Sequence, residues 1–232
     1  MTNVALTARD VSTHIELLDH TVEDALRLRA LREVARANFY FGGNRVVLRE
    51  LSAALAGLSS DRVTVLDVGT GSGHLAELIR RPHAGRVTLL GVDLRWALAR
   101  AARDSGTPAA CGDGLSLPFR ARSVDVVVCS QLLHHFADPD AVRLLSELDR
   151  VARHRVVVCD LRRSRIAAGG FWLASHPLGF HPVTRHDGVA SVRRGFTAAE
   201  LTRLVNAAIH REPAVRRSLG FRLAVSWRPE DP

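Results

Sequence analysis

From residue 63 onward, short apolar runs alternate with segments whose apolar positions recur at helical spacing. Val63–Val68, Arg86–Val92, a short run ending at Cys111, Val124–Cys129 and Arg155–Cys159 are too short and too apolar for surface helices and predict strands. Between them, Ser72–Arg81, Trp96–Asp104 and Asp138–Ala152 predict helices. Apolar strands alternating with helices indicate a parallel sheet covered on both faces. Two further helices precede the first strand. One covers Thr21–Ala37, with Leu26, Ala30, Leu31 and Val34 on one face. After Gly42-Gly43 the other places Val47, Leu48, Leu51 and Leu55 together and ends near Gly57.

The rhythm fails from Leu161 to Gly195, a stretch with Gly169-Gly170, Pro177, Pro182 and three histidines. It is too long for an ordinary connection and reads as an irregular, functional insertion. Thr197 with Glu200 three residues on forms a capping box for a helix through Ala208. Ala214–Ser218 and Phe221–Trp227 around Gly220 predict a closing hairpin. The expected organisation is a helical cap over residues 1–60 and one α/β domain over 61–232, with the insertion at 161–195 facing the substrate. The first two helices and the insertion are expected to cap the strand ends, where ligands of such sheets bind.

Composition narrows the function. The chain has 232 residues, 47% of them hydrophobic, enough for one sizeable core. No apolar run is long enough to span a bilayer, and Met1–Asp10 lacks the pattern of a secretory signal, so a cytoplasmic location is expected. Cys111, Cys129 and Cys159 are odd in number and widely spaced, which fits buried thiols and not a disulfide or zinc framework. The net charge of +8 invites a nucleic-acid partner. Yet every basic residue is arginine and the arginines are scattered, which fits GC-rich coding better than a binding patch. The absence of lysine excludes Schiff-base chemistry. No pattern sets an oligomeric state.

Gly69-Thr70-Gly71-Ser72-Gly73 joins a strand end to a helix start, where glycines let the backbone pass close beneath a ligand. Asp93 ends the next strand, where an acid takes ribose hydroxyls. Gly71, Gly73 and Ala76 also satisfy the dinucleotide fingerprint, so the loop alone leaves an NAD-dependent oxidoreductase open. Asp67, two residues before the first glycine, suits an ammonium and opposes a pyrophosphate. Gly112-Asp113 places an acid after the third strand.

Taken together, Val65-Leu66-Asp67-Val68-Gly69-Thr70-Gly71-Ser72-Gly73, Gly91-Val92-Asp93, Gly112-Asp113 with Leu117-Pro118-Phe119, the run Ser123–Ser130 and Leu132-Leu133-His134-His135-Phe136 resemble the class I S-adenosylmethionine-dependent methyltransferases. Within that superfamily the likeness is to the ubiquinone/menaquinone-biosynthesis-type and natural-product enzymes. The resemblance implies a Rossmann-like, mostly parallel seven-stranded sheet with an antiparallel last strand. It implies that Gly69, Gly71 and Gly73 underlie the methionine part of S-adenosylmethionine and that Asp67 holds its ammonium. It further places Asp93 on the ribose and Leu94 against the adenine. Asp113, Gly114 and Leu115 would form the adenine pocket, with Ser130 and Gln131 beside the methyl sulfonium.

For the acceptor, the sequence lacks the base-amino, cytosine-carbon and metal-dependent catechol signatures, and no metal ligands are expected. Methylation of an aromatic or polyketide-like hydroxyl is the favoured reading, ahead of carbon methylation of a quinone precursor. A nucleic-acid-binding module is a further alternative. A phenolic acceptor needs a base, for which His176, His181 and His186 in the insertion are the candidates. His134 and His135 fit packing on the sheet, with His135 also at the acceptor's edge. Tyr40 and Arg45 are candidate acceptor contacts, Arg45 for a carboxylate.

Overall fold

The alternating runs form a seven-stranded sheet in the order β3-β2-β1-β4-β5-β7-β6. The structure, a computed structural model, describes residues 9, 11, 12, 14, 16, 17, 23–80 and 85–230. The strands are β1 (Val63–Val68), β2 (Val87–Asp93), β3 (Ala109–Cys111), β4 (Val124–Ser130), β5 (Ala152–Leu161), β6 (Arg216–Ser218) and β7 (Arg222–Trp227). The first five pair in parallel, β7 runs antiparallel to β5, and β6 forms a hairpin with β7. This is the Rossmann-like methyltransferase topology expected from the sequence. The chain leaves β1 toward β2 on one side and reaches β4 on the other. Gly69 and Ser130 therefore end adjacent strands at the switch point, where a crevice opens.

Strand alternation divides the core. Leu66, Val68, Val127, Cys129, Val156 and Val158 face α5 (Asp138–Val151) and α8 (Ala198–Ile209), with Phe196 fully buried among them. Val63, Val65, Val126, Val128 and Val157 face the other way. That second face is covered by α2 (Gly43–Ala56) through Val46, Val47, Leu51 and Leu55, and by α3 (His74–Arg80) through Leu75 and Ile79. Burying each such side chain favours folding by about 1.5–3 kcal/mol. The expectation that both leading helices cap the strand ends is thus corrected: α2 is a sheet-covering helix, because its apolar stripe matches the open face. α1 (Asp24–Tyr40) lies over the strand ends and α2 reaches them only with its first turns, through Asn44 and Arg45; the burial of Arg27, Glu33 and Asn38 on α1 reflects a polar setting. The expected start of this helix at Thr21 and the expected end of α3 at Arg81 lie outside the described residues.

The Leu161–Gly195 stretch is not irregular. It forms α6 (Arg165–Ser175) and α7 (Pro182–Arg194). Ser164 caps α6 by accepting from the Ala167 amide, and His181 caps α7 ahead of Pro182. A Cβ on Gly188 would lie 2.1 Å from the Phe171 ring, so the two helices meet at a glycine. Their periodicity was hidden because α6 exposes Ile166, Trp172 and Leu173 while α7 buries Thr184, Asp187 and Arg194. The capping box on α8 is present as read, with Thr197 Oγ1 accepting from the Glu200 amide at 3.2 Å and Glu200 Oε2 accepting from the Thr197 amide at 2.7 Å. At the hairpin, a Cβ on Gly220 would stand 1.9 Å from the Phe41 carbonyl oxygen, so the turn rests on the backbone joining α1 to α2.

Candidate functional site

The turn after β1 is held in the left-handed region at Gly69 (φ 77°), Gly71 (φ 56°) and Gly73 (φ 86°). Side chains at the outer two would strike Leu132 at 2.8 Å and Ser105 at 2.7 Å, whereas a Cβ on Gly71 would meet only Leu31 at 3.8 Å. The middle glycine thus leaves open space above the backbone. Asp93 ties this turn to the end of β2: Oδ2 accepts from the Gly71 amide at 2.9 Å and Oδ1 from the Arg95 amide at 3.0 Å. Each oxygen keeps acceptor capacity toward the cavity. Burial raises the Asp93 carboxyl above the ordinary range.

Asp67 sits beneath the turn, 4% exposed. Burial, with Asp93 nearby, pushes its carboxyl up to about 7, and no cation among the described residues offsets this. It borders a cavity of about 150 Å³ with Asn44, Gly69, Gly71, Ser130 and Gln131.

A larger cavity of about 960 Å³ runs from Gly69, Asp93, Leu94, Asp113 and Gly114 to the space beneath α1, α6 and α7. Tyr40, Arg45, Gln131 and His135 also line it, so the expected acceptor contacts and most expected cofactor contacts share one space. Leu94 projects there, 68% exposed. Asp113 is exposed and its Oδ1 accepts from the Leu115 amide at 2.9 Å, a local turn bond. Leu115 is corrected: it packs against the core beneath the loop and does not line the cavity.

The three insertion histidines are also displaced from their expected place. None lines the cavity. His176, just past the end of α6, has Nδ1 2.8 Å from the Trp172 carbonyl in the last turn of that helix. His181 uses Nδ1 to accept from the Val183 amide as the helix cap. His186 pairs with Asp187 at 2.9 Å. Because the insertion is helical, it presents Ile166, Phe171 and Ser191 to the cavity instead.

The polar end of the cavity joins His135, expected at the acceptor's edge, to His134, expected only to pack on the sheet, and to Glu16 and Asp160, for which no role was expected. Asp160, fully buried near the end of β5, lies 2.7 Å through Oδ1 from His134 Nδ1, and its Oδ2 accepts from the His134 amide at 3.2 Å. Burial opposes ionisation of Asp160, but the His134 ring and the Leu161 amide hold its carboxyl below the ordinary range. His134 and His135 stand on a 3₁₀ turn, Leu133–His135, directly after β4. Glu16 closes the cluster, with Oε1 3.6 Å from His134 Nε2 and Oε2 3.9 Å from His135 Nε2. Ser191 Oγ donates to Glu16 Oε1 at 2.8 Å, and Arg194 lies 3.3 Å from the same oxygen. No metal ligands were expected, yet among the described residues Glu16, His134 and His135 bring ligand atoms within 4.8 Å of one another. Asp160 was legible as an acid closing an apolar strand. Glu16, in a segment without periodicity, gave no signal.

Residues 66–159 match a family described as a methyltransferase domain. The mouse protein named "Probable tRNA methyltransferase 9B" is 31% identical over 88 residues, which are 38% of this chain and 19% of that one. This chain thus matches about a fifth of that relative's length. Human N-acetylserotonin methyltransferase, solved with S-adenosylmethionine, superposes with a TM-score of 0.61 at 17% identity, over 90% of this chain and 57% of that one. Magnesium protoporphyrin IX methyltransferase from Synechocystis, also solved with S-adenosylmethionine, gives 0.56 at 14% identity, over 99% and 100%. These likenesses show a common fold.

Proposed function

We propose that this chain, which carries a methyltransferase domain on the class I fold, is an S-adenosylmethionine-dependent methyltransferase acting on the hydroxyl of a small, partly apolar acceptor. The observation that carries the cofactor reading is Asp67: a buried carboxylate with no offsetting cation, beside a glycine turn that leaves space above Gly71. A buried acid in that state suits an ammonium and disfavours a pyrophosphate. Asp93, with acceptor capacity on both oxygens, suits vicinal hydroxyls, and Leu94 and Gly114 offer an apolar wall for an adenine. The residues present therefore fit the cofactor, which supplies an electrophilic methyl group when bound.

This chain's own contribution is alignment and charge. Displacement at the methyl carbon is in line, so fixing the acceptor oxygen supplies much of the rate. The apolar wall of Phe41, Phe171 and Ile166 suits an aromatic or polyketide-like skeleton. The cluster of His134, His135 and Glu16 is where an acceptor hydroxyl finds polar partners and loses its proton. Carbon methylation also has to lose a proton, so this cluster serves either chemistry, and the methylated product separates the two. The likeness to a tRNA-methyltransferase relative covers only 88 residues, and the space under α1, α6 and α7 suits a small molecule.

The test is calorimetry with S-adenosylhomocysteine and NADH, followed by labelled methyl transfer to hydroxyaromatics and to total tRNA. Binding of S-adenosylhomocysteine alone, with label on a small hydroxyaromatic, is expected. Label on tRNA only, or NADH binding in its place, would overturn this reading.

A further inference from the structure

The cavity opens through an apolar rim. Tyr40 at the end of α1, Ile166 on α6 and Leu219 at the hairpin turn all line it, and all three are exposed, Leu219 at 92%. The three elements converge: Phe171 of α6 meets Phe41 at 5.8 Å between ring centroids, and the turn at Gly220 rests on the Phe41 carbonyl. An acceptor in the cavity can cover the rim side chains. It does not reach Phe39, Trp172 and Leu173, which are exposed beside them and do not line the cavity. Phe39 stands edge-on to Tyr40, at 5.3 Å between centroids. On α6 the only charged residue is Arg165, yet only Ala168 and Ser175 are buried. Ile166 and Leu173, seven residues apart, share a helix face with the exposed Gly169 and Gly170 between them. Nothing among the described residues covers that face. An exposed apolar surface of this extent marks an interaction site.

The charge around it identifies the partner. Residues 34–49, 161–186 and 213–229 hold eleven arginines, and all 24 acids of the chain lie elsewhere. Arg36, Arg45, Arg165 and Arg217 are exposed, and none of them pairs with a carboxylate among the described residues. Arg49 and Arg216 share the one buried Glu50. A second copy of this chain would set the basic collar against itself. A nucleic acid would leave Ile166, Leu173 and Leu219 unsatisfied, since aliphatic side chains offer bases no stacking platform. An anionic bilayer meets both demands: acyl chains cover the apolar side chains while headgroups face the arginines.

We propose that α6, the end of α1 and the hairpin turn seat this protein on an anionic lipid surface, with the mouth of the cavity toward the bilayer. α6 has 11 residues, and no helix among the described residues is long and apolar enough to cross a membrane, so α6 lies in the interface. The surface stands on these side chains alone. Its use rests on the methyl-transfer reading above: an apolar acceptor dissolved in the bilayer passes from acyl chains to the wall of Phe41, Phe171 and Ile166 without crossing water.

The experiment is flotation of the full chain with vesicles of phosphatidylcholine, alone or mixed with phosphatidylglycerol, beside sedimentation of the free protein and binding to total tRNA. Binding to the anionic vesicles is expected, with affinity for the neutral ones lower by roughly tenfold or more. Phe39→Glu and Leu173→Glu, outside the cavity, are each expected to weaken vesicle binding roughly tenfold or more. Arg165→Gln and Arg217→Gln are expected to weaken it roughly fivefold each. Arg143→Gln, on α5, is expected to leave it unchanged. Circular dichroism and S-adenosylhomocysteine affinity are measured on each variant to establish folding. No binding to anionic vesicles, equal binding to neutral ones, or binding indifferent to both Phe39→Glu and Leu173→Glu in folded proteins overturns the surface. So does a dimer that Leu173→Glu dissociates, or tRNA binding that the same two variants abolish, since either gives the face to that partner. Vesicle binding without S-adenosylhomocysteine binding would support the surface and overturn the methyl-transfer reading, and the reverse result would overturn the surface alone.

Discussion

Replacing Asp67 by asparagine should make the ligand-free protein more stable while weakening its hold on the cofactor. The carboxyl titrates at about 7 in the fold, against an ordinary value of 3.8. A difference of roughly three units at 1.36 kcal/mol each gives up to about 4 kcal/mol. The sign follows from proton binding. Between pH 4 and 7 the folded state holds the proton that the unfolded state has released, so stability falls as pH rises, and the full penalty is present above 7. Asp67→Asn removes that penalty without changing the shape of the side chain. Urea unfolding of the ligand-free protein should show the variant ahead by up to about 4 kcal/mol at pH 8 and level with the wild type near pH 4. Calorimetry with S-adenosylhomocysteine should show the opposite ranking. Loss of a charge-assisted bond costs about 1.5–3 kcal/mol, or roughly 10–100-fold in affinity. Wild-type affinity should also fall about tenfold per pH unit below 7, a slope that the variant should lack. A variant less stable than wild type at pH 8, or equal to it in cofactor affinity, would refute the assignment of Asp67 as an acid waiting for an ammonium.

Asp93→Ala should weaken S-adenosylhomocysteine at least tenfold in calorimetry, since it removes the hydroxyl acceptor and frees the Gly71 and Arg95 amides. His176→Gln, His181→Gln and His186→Gln should each keep turnover within about twofold, whereas His134→Gln should lower it on the order of 100-fold with cofactor affinity unchanged. Gly69→Ala should cost about 1–3 kcal/mol in thermal unfolding, because φ is 77° and the new methyl meets Leu132 at 2.8 Å. Phe196→Ala, at a fully buried site, should cost about 3–5 kcal/mol in the same assay.

Strand order and the glycine turn were legible because period and chemistry coincide there. Val124–Cys129 has almost no polar residue, and only a strand buried on both faces uses such a run. Asp93 was readable from its place at a strand end. The helical insertion was not, since Gly169-Gly170 and Pro182 read as breaks while the true signals were the caps Ser164 and His181. Of the polar cluster only His135 was placed at the acceptor, and the rest was missed for a different reason. His134 and Glu16 meet only through tertiary packing, and a doublet next to a strand looks the same whether it packs or points at a cavity. Assigning the base to the insertion assumed that a loop histidine faces inward, whereas His176 and His181 stand at helix ends and His186 on a face of α7 that does not line the cavity.

The contact between Gly220 and the Phe41 carbonyl joins segments from opposite ends of the described chain. Strand pairing from β1 to β5 needs nothing from that contact. The half of the crevice that holds Gly71 and Asp93 is therefore complete while the opposite wall is still a separate closure with its own entropy. Such a seam is a natural line for sub-global opening. Hydrogen exchange should find amides of residues 38–45 and 218–222 opening together, at lower free energy than those of β1 and β4. Because Asn38, Gly43 and Asn44 in this seam also border the small cavity at Asp67, its opening would loosen both ends of the crevice together.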